Sequence, residues 1–304
     1  MKENEIKISS IGEFIKIINE LSNTISENHK LFYRGQSSIY YKFESSIDRN
    51  PNVSEKKLYN KIIREYPYEF KTNNRLHNLT ILQHFRAPTR LLDFSLNPLI
   101  ALYFATCDNE NIDGRIIILS VNENKIEFEN SSKIRAIACL SYLNKKEIDM
   151  IRNLSNGVYK DKYLYEIKKV LFETDKQNLT SLDKALIYFI NILKNENIQL
   201  NFKLRNLFNM YMLLSNKDFD RVKSQNGVFL LNGNDSRFNS LREISNDKYI
   251  YMEKYIIDVD RKHKKKILQE LNLIGINDST VYPDLEKLCM HFMGKKASWQ
   301  NYSK

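Results

Sequence analysis

Polar side chains interrupt apolar sequence at four places in this chain, and groups of these types could bind a ligand. The four polar segments are residues 33–36, 82–95, 221–233 and 279–288. In the first, an apolar run ends on Arg34 and is followed by Gly35. A strand that ends on an arginine can carry its guanidinium to the rim of a pocket, and the glycine permits a close backbone approach.

The side-chain types in these segments suit a ligand that carries phosphates. Arg34 and Arg90 have planar guanidinium groups that match paired phosphate oxygens. Gln36 and Gln83 can hydrogen-bond an amide or a ribose. Three rings could stack on a base or on a nicotinamide ring, namely those of Tyr33, His84 and Tyr282. Together these groups fit a dinucleotide with a pyrophosphate better than they fit a peptide.

An acid is needed if such a site does chemistry, and Asp93 is the best candidate. It lies between Leu92 and Phe94, in an apolar setting where an unpaired carboxylate would be costly to bury. Asp284 and Glu44 are the next candidates. The alternative for Asp93 is an ion pair with one of the two arginines that staples the loop.

Structural alternatives also stand beside the other candidates. Arg34 could bridge the core instead of binding a phosphate. His84 lies in an apolar neighbourhood and could be a satisfied core histidine. Gln225 could pair with loop backbone.

The composition indicates a folded protein with a substantial core. The chain has 304 residues, of which 42% are hydrophobic, and it contains no apolar run long enough to span a membrane. Its first ten residues do not read as a signal peptide, so a cytoplasmic location is expected. The three cysteines and five histidines lack metal-site spacing, so no metal is expected.

The formal net charge of +10 fits an anionic partner such as a nucleotide or a nucleic acid. A chain rich in asparagine, isoleucine and lysine can also owe this charge to an AT-rich genome. Basic runs such as residues 261–266 are typical of solvated helix faces. A nucleic-acid partner therefore stays open.

The pattern of apolar residues divides the chain into three parts. Helices and short strands are expected over residues 1–130, a lysine- and asparagine-rich helical insertion or cap over 131–217, and strands with a basic helix over 218–304. Asn97 and Pro98 predict the start of a buried helix. No low-complexity linker separates the parts, which favours one compact α+β unit.

The polar segments, in their order, resemble those of the FRG domain, a bacterial family named for its Phe/Tyr-Arg-Gly motif. The matching segments are FYRGQ at 32–36, LQH at 82–84, PTRLLD at 88–93, NP at 97–98, ALYFA at 101–105, RVKSQNGVF at 221–229 and YPDL at 282–285. The chain departs from the family pattern at Arg86, where a glycine is usual, and at Phe94, where a tryptophan is usual.

A weaker resemblance links the chain to ADP-ribosyltransferases of the Arg-Ser-Glu type. Arg34 is similar to their strand-end arginine, which helps to hold NAD, and Ser95 occupies the place of their strand serine. Gln225 matches the first position of their late Gln/Glu-x-Glu motif, but Gly227 stands where the second acid is expected. Another acid must then stabilise the positive ribose, or the pocket binds without transferring.

These resemblances imply an α+β fold with a small, mainly antiparallel split sheet, wrapped by helices and carrying a helical insertion. They imply an enzyme that takes NAD as its substrate, with a toxin or anti-phage role by analogy. The expected catalytic residues are Arg34, Asp93 and Gln225. The expected NAD-binding residues are Tyr33, Arg34, Gly35, Gln36, Gln83, His84, Thr89, Arg90 and Ser95.

Two other classes of protein remain open. One is a non-catalytic module that binds a nucleotide or a nucleic acid. The other is an interaction protein that senses a protein partner through its helical insertion. No membrane partner is expected.

Overall fold

The structure, a computed structural model, describes residues 6–70, 74–214, 220–233 and 252–283. These residues form eight strands, which are β1 (Ile6–Ile8), β2 (His29–Gln36), β3 (Leu91–Ser95), β4 (Gly114–Asn122), β5 (Glu127–Phe128), β6 (Met210–Leu214), β7 (Gly227–Asn232) and β8 (Met252–Val259). All eight belong to one sheet with the order β1-β8-β4-β2-β3-β7-β6-β5.

Eleven α-helices accompany these strands within the described residues. They are α1 (Ile11–Thr24), α2 (Glu55–Glu65), α3 (Arg75–His84), α4 (Pro98–Thr106), α5 (Ser132–Cys139), α6 (Lys145–Asn156), α7 (Leu164–Glu173), α8 (Ser181–Asn195), α9 (Asp220–Ser224), α10 (Lys264–Leu273) and α11 (Asp278–Val281). The predicted α+β class is confirmed.

The sheet differs from the small, mainly antiparallel one that was expected. It has eight strands and is mixed, because the short strands β1 and β5 pair in parallel with β8 and β6. The remaining neighbours pair antiparallel. The sequence pattern missed β1, β5 and β6, since the first two are very short and the third follows a long helical stretch.

The centre of the sheet contains a narrow junction. Strand β2 pairs with β4 along its whole length, from His29 to Gln36, and β3 pairs with β7 from Leu91 to Ser95. Strands β2 and β3 pair with each other only at Tyr33 and Ser95. Beyond that point their facing backbone edges are not joined by a ladder, so polar groups there need other partners.

Helix α4 packs closely on the half of the sheet that contains β2 and β4. Asn97 caps the helix by accepting from the amide of Leu99, and Pro98 occupies its first turn, as predicted. A Cβ atom at Gly35 would lie 1.9 Å from the carbonyl oxygen of Ala101, which glycine alone avoids. The Gly35 position therefore serves the packing of α4 on β2.

The helices of the middle segment share a core with the second half of the sheet. Buried side chains of α5 to α8 pack with those of α2 and α3 and with Leu91, Leu213, Phe229 and Leu231 of the strands. Strand β6 also comes from within the expected insertion and pairs with β7. The division into residues 1–130, 131–217 and 218–304 stays a prediction.

No helix within the described ranges is both long and apolar enough to cross a membrane. The part of the YPDL segment that follows Pro283 lies outside the described residues.

Candidate functional site at the β2–β3 junction

The side chain of Arg34 fills the gap beside the β2–β3 junction. Its Nη1 atom donates to the backbone carbonyl oxygen of Asp93 on β3 at 2.7 Å. The guanidinium thus occupies a place where a paired strand would present its amide. The Nε atom of Arg34 is buried and has no hydrogen-bond partner among the described residues.

The electrostatic setting of this arginine favours an anion. The pKa of Arg34 is lowered to about 10, chiefly by burial; the charge of Asp93 raises this pKa and the charge of Arg49 lowers it. The group stays charged at neutral pH. A partly buried cation with an unused N–H donor is stabilised when it binds an anionic acceptor.

Asp93 presents its carboxylate to solvent next to Arg34. Its Oδ2 atom accepts from Nε2 of Gln83 at 2.9 Å. The Oε1 atom of Gln83 in turn accepts from the hydroxyl of Thr89, which is fully buried. This chain of hydrogen bonds connects the exposed carboxylate to the buried Thr89 and fixes its orientation. Within the described ranges Asp93 forms no salt bridge with either predicted arginine, so the loop-staple alternative is not what the structure contains.

Three of the motif positions meet at one level of the sheet. Tyr33 on β2 is opposite Ser95 on β3, and Ser95 is opposite Gly227 on β7. Arg34 and Asp93 lie within two residues of this level. The strand-end arginine, the strand serine and the late Gln-x-Gly segment are therefore adjacent in space, although 193 positions separate the first from the last.

Ser95 and Gln225 act as ties at this level. The hydroxyl of Ser95 donates to the carbonyl oxygen of Gln225 at 2.6 Å and accepts from the amide of Asn97 at 2.9 Å. The side-chain amide of Gln225 donates to the carbonyl oxygen of Val281 at 3.0 Å. Both side chains thus hold backbone segments together, which was the alternative considered for Gln225.

Gly227 leaves no acid at the position where one was expected. A Cβ atom there would lie 3.3 Å from the side chain and 3.4 Å from the carbonyl oxygen of Val222. Val222 would have to shift by a few tenths of an ångström to admit even this atom. Any acid that serves this level must come from another strand, and Asp93 is the one beside Arg34.

Arg90 is not brought to the site, although it was expected to bind NAD. It is 4% exposed, and its Nε and Nη2 atoms donate to the two carboxylate oxygens of Glu55 on α2. Burial alone would lower the pKa of Arg90, but the ion pair with Glu55 outweighs it and raises that pKa. Its fork is already occupied, so it joins α2 to β3 instead of facing a ligand.

Three residues of the first motif are also packed or hydrogen-bonded within the protein. Ala101 fills the space beside Gly35, where a ligand was expected to approach. Tyr33 is buried in the core, and burial raises its pKa to about 12. Gln36 is buried and donates to the carbonyl oxygen of Lys42 at 3.3 Å. The rings and amides expected to contact a ligand are therefore not all available to one.

His84 ends helix α3, directly after Gln83, and is partly exposed. Its ring stands edge-on to that of Phe85, with 5.0 Å between the centroids. Phe85 is 66% exposed, so an aromatic ring open to solvent lies beside that of His84. His84 thus keeps a position from which it could contact a ligand.

The other candidates lie elsewhere. Glu44 is buried with a lysine, Lys42, 3.7 Å from its carboxylate. Tyr282 is buried against Phe104. Asp284 and the side chain of Arg221 lie outside the described residues.

Arg49 and Glu55 were missed by the sequence patterns. Arg49 follows a turn held by the hydroxyl of Ser45 on Asp48, and nothing local links it to Arg34. Glu55 begins an amphipathic helix and looks like an ordinary N-terminal acid. Within the described residues no group of three or more histidine, cysteine or carboxylate side chains could hold a metal ion.

One known family matches part of the chain. The FRG domain model matches residues 29–114, which cover β2 to the first residue of β4 and include Arg34, Gln83 and Asp93. The chain therefore contains an FRG domain, as its motifs predicted. No curated protein and no solved structure matches the chain.

Proposed function

We propose that this FRG-domain protein is an NAD-using enzyme of the ADP-ribosyltransferase-like type, with its site at the β2–β3 junction. One observation carries the proposal. Tyr33, Ser95 and Gly227 stand opposite one another on adjacent strands, with the guanidinium of Arg34 in the gap beside them. This is the arrangement that the three transferase-like motifs need if they are to form one site.

Arg34 supplies the attraction for the pyrophosphate. Its guanidinium makes one hydrogen bond to a described residue and keeps donors for a phosphate, and Arg49 adds a second positive charge. Gln83 hydrogen-bonds the Asp93 carboxylate and His84 follows it at the end of α3, so these two side chains are assigned to the ribose and the base.

Asp93 serves the reacting ribose. When the bond between nicotinamide and C1′ breaks, its electron pair leaves with the nicotinamide nitrogen, which becomes neutral. Positive charge then develops on the ribose, and a nearby carboxylate stabilises it. A hydroxyl of water or of an acceptor forms the new bond to C1′ and releases its proton to Asp93.

The test is release of nicotinamide from NAD by the purified full-length protein, with and without RNA, DNA or lysate protein as acceptor. Asp93→Asn keeps the shape of the side chain and Arg34→Lys keeps the positive charge. Each is expected to reduce the release rate by about 100-fold or more. The mixture that accelerates release identifies the acceptor class.

Two exposed positions provide matched controls for these substitutions. Arg64→Lys and Glu65→Gln make the same kinds of change on α2, where both side chains are largely exposed. They are expected to leave the release rate unchanged. The proposal is wrong if the wild-type protein releases no nicotinamide under any mixture while it binds NAD.

That outcome would favour a second function, a nucleotide-binding module without catalysis. Gly227 is the observation behind it, because the usual late acid is missing and the space beside the glycine is closed by Val222. In that case added NAD should bind the folded protein and raise its thermal unfolding temperature. Arg34→Lys would remove that protection while Arg64→Lys would keep it.

A toxin or anti-phage role in the cytoplasm follows only if NAD is consumed. Induced expression is then expected to lower cellular NAD and slow growth, and Asp93→Asn is expected to abolish both effects. Growth arrest that persists in Asp93→Asn would contradict this role.

A further inference from the structure

A cavity lies at the edge of the sheet formed by β5 and β6. Its volume is about 660 Å³. The walls come from the segment around Lys125, the start of helix α5, and residues 201–211. A smaller cavity of about 490 Å³ adjoins it, and Tyr163 and Lys203 line both. The two cavities therefore meet at these two side chains and are together called the groove.

The walls of this groove are predominantly basic. Six cationic side chains line it, namely Lys125, Lys133, Lys160, Lys162, Lys203 and Arg205. The acids in the walls are Glu127, Asp161 and Glu166. Asp161 is shared, since it lies 3.9 Å from Lys203 and 2.8 Å from Arg205. The lining keeps a positive excess, which attracts an anion.

Aromatic rings stand exposed beside these charges. Tyr163 is 38% exposed and Tyr165 is 55% exposed, although tyrosine side chains are usually more deeply buried. Their ring centroids are 5.6 Å apart and their planes are tilted by 34°. Lysines that follow a groove together with exposed rings on which bases can stack are the features of a surface that binds single strands.

The beginning of helix α5 adds a third feature. Ser131 is its N-cap residue but makes no side-chain cap hydrogen bond, and Ser131, Ser132 and Lys133 all line the cavity. Backbone amides of a first helical turn bind phosphate oxygens readily. The N-terminus of α5 is therefore an anion-binding feature additional to the charges and rings, which do not depend on it.

We propose that this groove binds a single-stranded nucleic acid, with its phosphates on Lys203 and Arg205 and a base on the ring of Tyr163. A strand is favoured over a free nucleotide because the groove continues through both cavities. The inference does not rest on NAD chemistry, since the residues that line the groove do not include Arg34, Asp93 or Ser95.

The test is fluorescence anisotropy of labelled 20-nucleotide oligo(U) and oligo(dT) with the full-length protein over a series of salt concentrations. Affinity is expected to fall as salt rises. The double variant Lys203→Ala/Arg205→Ala should bind more weakly and should lower the salt slope by about 1.4, from two lost phosphate contacts on a single strand. The RNA and DNA arms identify which strand is preferred.

The ring contribution is tested by Tyr163→Ala, which should weaken binding roughly 5- to 100-fold, whereas Tyr163→Phe keeps the ring and should bind like the wild type. The charge control is Lys16→Ala/Lys266→Ala, because both lysines are exposed and each stands near a carboxylate at i+4. It removes the same charge from α1 and α10 and should leave the salt slope unchanged.

Several outcomes would overturn the inference. They are an equal loss of affinity in the two double variants, equal binding of a blunt duplex, and equally tight binding of a mononucleotide. Arg34→Lys is expected to leave oligonucleotide binding intact, so failure of this groove and failure of the NAD site are distinguishable.

Discussion

The surroundings of Arg34 and Arg90 differ in how many guanidinium donors the fold has already used. Arg90 is buried with both carboxylate oxygens of Glu55 on its fork and a backbone carbonyl, that of Ile137, at 3.5 Å. Arg34 makes one hydrogen bond, to a backbone carbonyl, and keeps a buried Nε without a partner in the described residues. A guanidinium whose donors are all hydrogen-bonded within the protein stabilises the fold, whereas one with donors left over is suited to bind an anion.

The largest effect should come from breaking the Arg90 pair. Arg90→Met leaves Glu55 as an uncompensated buried charge, and the free energy of unfolding should fall by about 3–5 kcal/mol. Arg34→Met removes a cation that burial already disfavours, so its effect should stay within about 1 kcal/mol. Urea unfolding followed by circular dichroism measures both.

A double variant sharpens this difference. Glu55→Gln/Arg90→Met removes both charges and should recover much of the lost stability. Should Arg34→Met prove as destabilising as Arg90→Met, the two arginines would have equivalent structural roles and the contrast between their surroundings would fail.

A smaller effect is expected at Gly35, which the sequence motif predicted to leave room for a ligand. In Gly35→Ala the new Cβ would overlap the carbonyl group of Ala101, so α4 must shift and stability should fall by about 1–3 kcal/mol. Gly12→Ala is the matched control, because Gly12 lies in α1 with its nearest neighbour 4.0 Å away.

The control should gain up to about 1 kcal/mol, since alanine favours a helix more than glycine does. Thermal unfolding of the two variants separates the outcomes. A neutral Gly35→Ala would mean that the space beside β2 is open, as a ligand site at the backbone would require.

The contrast also explains which features of the site the sequence could predict. The order of the motifs located β2, β3 and α4, and the local signals at Asn97 and Pro98 placed the helix start correctly. The same local patterns could not separate Arg34 from Arg90. Glu55, which decides the fate of Arg90, lies 35 positions away in a helix whose face is set by packing.

The fold was predictable to a similar depth. Apolar runs within residues 1–130 and 218–304 predict strands, and β2, β4, β7 and β8 form there with long ladders. The narrow junction between β2 and β3 depends on how two strands diverge in space, and no run of residues encodes it locally. The position of Arg49 near Arg34 is equally non-local.

The smallest effect concerns two tyrosines, one in each region. Burial raises the pKa of Tyr33 to about 12, above its ordinary value of about 10. A group whose pKa is raised in the folded state stabilises it fully below the unfolded value, and this contribution is lost as pH rises towards 12. From the two pKa values, the loss at pH 11 is about 1.4 kcal/mol. Tyr33→Phe should remove that loss.

Tyr59, beside Arg90, should respond differently. Its hydroxyl donates to Glu55 and to the carbonyl oxygen of Pro88, both at 3.0 Å, and burial raises its pKa. Tyr59→Phe should therefore cost about 1 kcal/mol even at neutral pH, where Tyr33→Phe costs little. Urea unfolding at pH 7 and pH 11 compares them. Equal losses at pH 7 would mean that the phenol near Arg34 is as tightly bonded as the one near Arg90, and that both surroundings are closed.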